Sequence, residues 1–365
     1  MKFIRNLIVW IGVAFNGLFI LLLIATAYSP YIDPTLHPLR SCLGLAFPVF
    51  LLINIGFLLF WLLIRQYKVA LLPLAGLLLC WGAIRTYMPY NFHTDHLPEG
   101  SLKILSYNIM GFNLGKKVDG KNDILTYLRQ SGADVLCLQE FATYSPPYLT
   151  STEIDKALSD YPYHRVDKLG NSSISTNNIA CYSKYPILSA RKLDYASDGN
   201  GSVVYELKVG EDTLTLINNH LESNKLTAED KQVYAGMLAN PEKENVKSGA
   251  RLLWGKLAEA SAVRAPQADA VAKAIRTSAH SKIIVCGDFN DTPISYTRRV
   301  IGQDMNDAFT QSGKGLGISY NQNRFYFRID HILVSKNLRT YNCTVDRSIK
   351  DSDHYPIWCY VAPEE

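Results

Sequence analysis

Acidic residues are almost missing from the first hundred positions, where three Asp or Glu stand against six Lys or Arg. A segment so poor in charge has no polar face to offer water, which excludes an ordinary soluble helical domain there. An excess of positive charge is missing from the remainder: residues 101–365 hold 31 Lys or Arg and 30 Asp or Glu. The basic stripe that marks a nucleic-acid surface is therefore not written into the composition of this part. No metal-ligand spacing such as Cys-x-x-Cys occurs among the seven cysteines. Internal repeats and low-complexity tracts are absent from the part beyond residue 101 as well.

What fills the first hundred positions is hydrocarbon. Leu7–Ala27 and Cys42–Ile64 are uncharged apolar runs, and Val69–Ile84 is a shorter third that extends towards Tyr87. About 20 apolar residues cross a bilayer core. The expectation is an integral-membrane anchor over residues 1–87 with three transmembrane helices, about 7–27, 42–64 and 69–87. Lys2 and Arg5 before the first run, and Ala25-Thr26-Ala27 at its end, also resemble a cleaved secretory leader. The run exceeds the roughly 7–15 apolar residues of such leaders, so a retained anchor is expected. Lys2, Arg5, Arg65 and Lys68 belong in the cytoplasm by the positive-inside rule, with Arg40 and Arg85 as the minority on the other side. That topology sets the rest of the chain outside the cytoplasm, on an inner or plasma membrane. There Cys343 and Cys359 could form a bridge, whereas Cys137, Cys181 and Cys286 read as small buried hydrophobes within strands.

Residues 88–101, with Pro98 and Gly100, read as a linker. Beyond it, Lys103–Ile109, Val135–Gln139, Ile179–Ser183, Val203–Val209, Thr213–Asn219, Ile283–Gly287, Ile329–Val334 and Pro356–Val361 carry strand patterns. Asn122–Gln130 has apolar residues at helical spacing and stops at Gly132. Ser248–Ser278 is an Ala-rich helix that Pro266 should kink or divide, and His220–Gly249 reads as an irregular insertion. Strands interspersed with helices predict a layered α/β domain over residues 102–361.

Polar residues recur where these apolar strands end: Asn108, Glu140, His220, Asp288, Asn290, Asp330, Asp353 and His354. Their position suggests one shared site at the edge of a sheet. Glu140 follows an apolar run, where an unpaired carboxylate is costly unless a cation balances it. An amide oxygen and a carboxylate suit Mg²⁺, which keeps waters that a substrate phosphate can replace. Asp288 and Asn290, two apart, would point the same way in extended backbone and grip one water or one phosphate oxygen. His220 at a strand end could donate to a phosphoryl oxygen. Asp330 on one strand could orient His354 on the next for proton transfer, leaving Asp353 for a metal or a second water.

The ordered series Ser-Tyr-Asn at 106–108, Leu-Gln-Glu at 138–140, Asn-His-Leu at 219–221, Gly-Asp-Phe-Asn at 287–290, Arg-Ile-Asp at 328–330 and Ser-Asp-His at 352–354 resembles the endonuclease/exonuclease/phosphatase superfamily, in a membrane-anchored bacterial-type form. The tract from Asn178 to Ile187 matches as well. The resemblance implies a deoxyribonuclease I-like four-layer α/β sandwich, two packed mixed sheets flanked by helices, and metal-dependent phosphoester hydrolysis with Mg²⁺, or Mn²⁺ as substitute. Asn108, Glu140 and Asp353 would then serve the metal, Asp288 the attacking water, Asn290 and His220 the phosphorane-like oxygens, and His354 with Asp330 the scissile phosphate or proton transfer. Asn219 stands where the family usually has Thr or Ser, and His331 where it often has Tyr. Both substitutions are expected to bear on substrate contacts. The leading reading is a membrane-anchored phosphodiesterase or phosphatase acting on a lipid headgroup, nucleic acid or small phosphate ester. A nuclease and a catalytically silent membrane receptor or scaffold are the alternatives, and no protein partner is implied. Arg324-Phe325-Tyr326-Phe327-Arg328 interleaves cations and rings as a nucleic-acid surface would, or as a half-exposed strand would.

Overall fold

A computed structural model describes residues 2–169, 177–197, 199–239, 243–322 and 325–364. Twelve strands follow in chain order: β1 (Leu102–Asn108), β2 (Val135–Phe141), β3 (Tyr163–Asp167), β4 (Asn178–Ser183), β5 (Ile187–Lys192), β6 (Gly201–Val209), β7 (Asp212–His220), β8 (Ile283–Asp288), β9 (Met305–Asp307), β10 (Asp330–Ser335), β11 (Leu338–Val345) and β12 (Ile357–Pro363). They form two six-stranded sheets, ordered β11-β12-β1-β2-β4-β3 and β5-β6-β7-β8-β10-β9. In each sheet one parallel pair sits at the centre, β1 with β2 and β7 with β8.

Burial explains the layering. Ile104, Cys137, Cys181, Val203, Leu216, Ile284, Ile332 and Cys359 meet in the cluster between the sheets. On the outside of the first sheet, Leu105, Leu136 and Tyr182 pack with Ile124 and Leu128 of the Asp123–Gln130 helix. Outside the second, Ile217 and Val285 pack with Ala268, Val271 and Ala272 of the Lys243–Arg276 helix. Helix, sheet, sheet, helix is the four-layer sandwich expected.

Several local readings change. The Lys243–Arg276 helix runs through Pro266 undivided, because the Ala-rich face beyond the proline is held on the second sheet. Much of the expected irregular insertion is helical, since Ala228–Ala239 forms a helix and the long helix begins at Lys243. All seven cysteines are free; Cys343 and Cys359 are neighbours across β11 and β12 without a bond between them.

The N-terminal part forms its own cluster. Two segments, Val9–Ala27 and Pro38–Leu63, are long and apolar enough to cross a membrane; Tyr67–Leu79 and Trp81–Tyr87 make a third only if their 63° bend lies within one span. Trp10, Leu21, Leu52 and Leu63 stand exposed on the outside of this bundle, a surface that suits lipid rather than water. Inside it, Asn54 Nδ2 donates to the Phe19 carbonyl at 2.9 Å and Trp61 Nε1 to Asn16 Oδ1 at 3.2 Å, polar ties of the kind that join helices in lipid. The apolar segment expected to be helical from Cys42 begins differently. Cys42–Ala46 is a 3₁₀ turn, and the helix proper is Phe47–Leu63. Residues 88–101 lie along the domain: Asn91 Nδ2 donates to the Gly313 carbonyl at 2.8 Å, and the Thr94 N–H to Asn342 Oδ1 at 2.8 Å.

Candidate active site

Register alone brings three of the eight candidates together. Parallel pairing of β7 with β8 sets His220 beside Asp288 at the two strand ends, and antiparallel pairing of β10 sets Asp330 on the other side of Asp288. His220, Asp288 and Asp330 thus form one row across the edge of the second sheet. The first sheet contributes Asn108 from the end of β1 and Glu140 from β2. The β2–β4 register shifts between Leu138 and Phe141, and Glu140 there takes a left-handed backbone with φ of 53°, the mark of a bulge that re-aims a side chain. Ser352 Oγ donates to the Asn108 carbonyl at 2.7 Å and accepts the His354 N–H, which fixes the segment before β12 over the same edge.

One oxygen is the hub. Asp288 Oδ2 accepts from Asn108 Nδ2 at 3.2 Å and lies 3.6 Å from His354 Nε2 and 3.8 Å from His220 Nε2. Its second oxygen accepts the Asn290 N–H at 2.8 Å. Asn108 also donates to Glu140 Oε1 at 2.9 Å, and His220 Nε2 is 3.7 Å from that oxygen. Asp330 Oδ2 meets His354 Nδ1 at 2.8 Å, the orienting pair expected. Asp353 is half-buried and lines the same cavity, about 250 Å³ in volume. All eight candidates converge.

Asn290 does so differently from the expectation. Its backbone is left-handed, φ 53°, so the alternation of an extended strand does not apply. Its Nδ2 donates to the Leu221 carbonyl at 2.9 Å. Neither of the two family departures lines the cavity. Asn219 accepts from Ser202 Oγ and donates to the Cys286 carbonyl within the sheet; His331 pairs its Nε2 with the Asp291 carbonyl and rests on the Phe289 ring.

Burial and neighbours set the charges apart. Burial pushes the Asp288 carboxyl up to about 6, against the pull of the nearby imidazoles. Glu140 is raised, again by burial first. Burial lowers His220. It works against a charged His354 too, yet the carboxylates of Asp330 and Asp288 outweigh it and hold that imidazole well above its ordinary range. The two imidazoles are thus pushed in opposite directions, His220 towards its neutral form and His354 towards its protonated form, a separation that acid–base chemistry can use.

The donor set fits a hard cation. Among the described residues Glu140 and Asp288 are matched by imidazoles only, not by a Lys or Arg. Glu140 carries the raising influence of Asp353 and Asp330 as well, so negative charge is in local excess at a mostly enclosed place. Asp288, Asp330 and His354 also bring ligand atoms within 4.8 Å of one another. The hydrogen bond between Asp330 Oδ2 and His354 Nδ1 already engages one atom of each of these residues, which favours the Asn108, Glu140 and Asp353 side for a metal.

Sequence reasoning missed several cavity residues. Tyr320 sets its ring edge-on to His354 at 5.1 Å. Arg264, 2% exposed, donates to the Glu222 carbonyl and Asn224 Oδ1 and lies 3.5 Å from Asp291. A charged residue within the Ala-rich helix was the available signal. Ser41, Cys42 and Leu45 from the N-terminal part line the cavity too, and nothing local marks them.

Among solved structures, an endonuclease/exonuclease/phosphatase from Beutenbergia cavernae superposes with a TM-score of 0.50 at 13% identity, covering 72% of each chain. TDP2 of D. rerio complexed with a single strand DNA product gives 0.49 at 16%, over 72% of this chain and 99% of that one. The human Nocturnin catalytic domain with bound sulfate gives 0.49 at 16%, over 72% and 94%. At these identities the likeness is one of fold. No curated protein matches. A family model described as Domain of unknown function (DUF8431) matches residues 5–87. The model of the Endonuclease/Exonuclease/phosphatase family matches residues 105–354, more than half of the sequence and a range that contains the eight site residues, and the chain belongs to that family.

Proposed function

We propose that this protein is a membrane-anchored, divalent-metal-dependent phosphoester hydrolase. The observation that carries the reading is the convergence on Asp288 Oδ2 of Asn108, His220 and His354, with Asp330 behind His354 and Glu140 alongside. A carboxyl with pKa near 6 is mostly ionised at pH 7 and still basic enough to align a water and take its proton. His354, protonated and held by Asp330, donates to a phosphoryl oxygen or to the departing alkoxide. His220, neutral, offers one N–H to the same phosphate. Asn290 fixes the loop after β8 through Leu221 rather than acting on phosphorus.

Asn108, Glu140 and Asp353 would hold Mg²⁺, which when bound supplies positive charge against the phosphoryl oxygens. The full complement of polar groups disfavours a silent scaffold. The test is turnover of bis(p-nitrophenyl) phosphate, p-nitrophenyl phosphate and plasmid DNA by the detergent-solubilised full chain, with Mg²⁺ and with chelator. Metal-dependent turnover of at least one, lost in His354→Ala, is expected. A folded protein inert to all three would overturn the reading, and turnover of DNA alone would make it a nuclease.

A further inference from the structure

The catalytic cavity is not closed by the catalytic domain alone. Ser41, Cys42 and Leu45 line it together with Asp288 and His354, and these three belong to the connection between the first two apolar helices. Gly44, in the same turn, packs so closely under the domain that a Cβ would lie 2.1 Å from the Ile294 carbonyl oxygen. On either side Arg299 Nε donates to the Pro30 carbonyl at 2.7 Å and Trp254 Nε1 to the Leu39 carbonyl at 3.0 Å. The wall is a fixed part of the site.

Ile294 makes the connection continuous. It lies six positions after Asp288, lines the cavity, and is buried in one cluster with Leu23, Phe47 and Leu51 of the apolar helices. Leu257 and Phe325 add further apolar lining. A phosphate ester with a wholly polar alcohol gains nothing from these side chains. One with hydrocarbon next to the phosphorus buries it there, at about fourfold in kcat/KM per methylene. A cavity of about 250 Å³ does not enclose a whole lipid chain, and the remainder of the chain would stay in the adjoining bilayer.

We propose that the substrate is a membrane lipid bearing a phosphoester, drawn from the leaflet on the side of the catalytic domain, with the hydrocarbon nearest its phosphate against Leu45 and Leu257. This rests on the phosphoesterase reading above. Water's oxygen bonds to phosphorus and one P–O ester bond breaks. The alcohol leaves carrying one of water's protons, and the other proton remains on the phosphate oxygen.

The experiment uses the full chain reconstituted with Mg²⁺ in vesicles of phosphatidylcholine, phosphatidylethanolamine and phosphatidylglycerol. The deacylated glycerophosphodiesters and plasmid DNA are the soluble comparisons. Expected are a kcat/KM at least tenfold higher on a vesicle lipid than on its deacylated counterpart, and a tenfold greater loss on lipid than on soluble ester in Leu45→Asn. Leu257→Asn serves as the second variant should Leu45→Asn fail to fold. Equal losses on both substrates in a folded variant, or turnover of soluble esters or DNA without any vesicle lipid, would overturn this inference alone. Inertness towards every substrate would take the phosphoesterase reading with it.

Discussion

Asp288 is a carboxylate held where water would not leave it charged, 1% exposed and among other acids. Its raised pKa means that the ionised form at pH 7 costs the fold stability, and a neutral isostere relieves that cost. Asp288→Asn keeps an oxygen for the Asn290 N–H. It is expected to hold or raise the thermal midpoint in chelated protein while lowering turnover by about 10³-fold or more. A fall in both would mean that Asp288 is structural. His331 gives the opposite case. Burial pushes it down to about 4 from an ordinary 6.5, so between those values the unfolded chain binds a proton that the folded chain refuses. The stability is present above pH 6.5 and is lost as pH falls towards 4, by up to about 3 kcal/mol. His331→Gln, which keeps a donor for the Asp291 carbonyl, should flatten the thermal midpoint across that window. An unchanged slope would remove His331 from the account. The family motif identified the position of His331, whereas its contacts depend on the Phe289 ring and a loop carbonyl, and no residue spacing reports those.

At the scale of elements, the eight strands read from apolar patterning are the interior ones, and the four that were not read, β3, β5, β9 and β11, are the outer strands of the two sheets. The cause is physical. An interior strand is buried on both faces and reads as an apolar run, while β3 and β5 leave most of their side chains in water and β9 is three residues long. The convergence of the site was legible for the same reason, since motif residues lie at the ends of the interior strands. The bulge that aims Glu140 was not, because a left-handed Glu leaves no trace in composition. Gly287 is the glycine whose requirement can be tested. It has φ of 129°, and a Cβ there would sit 2.0 Å from the Asn219 carbonyl oxygen, so any side chain forces β7 from β8 and separates His220 from Asp288. Gly287→Ala should cost about 3 kcal/mol or more in chemical denaturation and lower turnover along with it. A variant as stable as the parent would show that the sheet yields at this point.

At the scale of the molecule, the apolar N-terminal part and the catalytic domain are joined by more than the chain between them. The sequence could not show this, because Cys42–Ala46 reads as the continuous start of an apolar run and its contact with Ile294 bridges about 250 positions. Arg328 is the other hidden tie. It lies within the aromatic tract that suggested a nucleic-acid surface; Arg324 of that tract falls outside the described residues, Phe325 is buried in the cavity wall, and Tyr326 alone is largely exposed, at 56%. Arg328 is 2% exposed and donates to the Thr86 carbonyl at the end of the last N-terminal helix and to the Leu316 carbonyl, with its guanidinium over the Phe309 ring at 4.3 Å. Asp307 nearby keeps its own partner, Arg298, at 2.7 Å, so removing Arg328 strands no carboxylate. Arg328→Met should then cost about 1–3 kcal/mol, the value of hydrogen bonds from a charged donor, and act mainly on the junction. Chymotrypsin cleavage within residues 88–101, which hold Tyr90 and Phe92, should accelerate about tenfold in the variant, because the linker is released from the domain surface it now follows. A cleavage rate equal to that of the parent would show that the linker and the Pro30, Leu39 and Gly44 contacts hold the two parts together without Arg328.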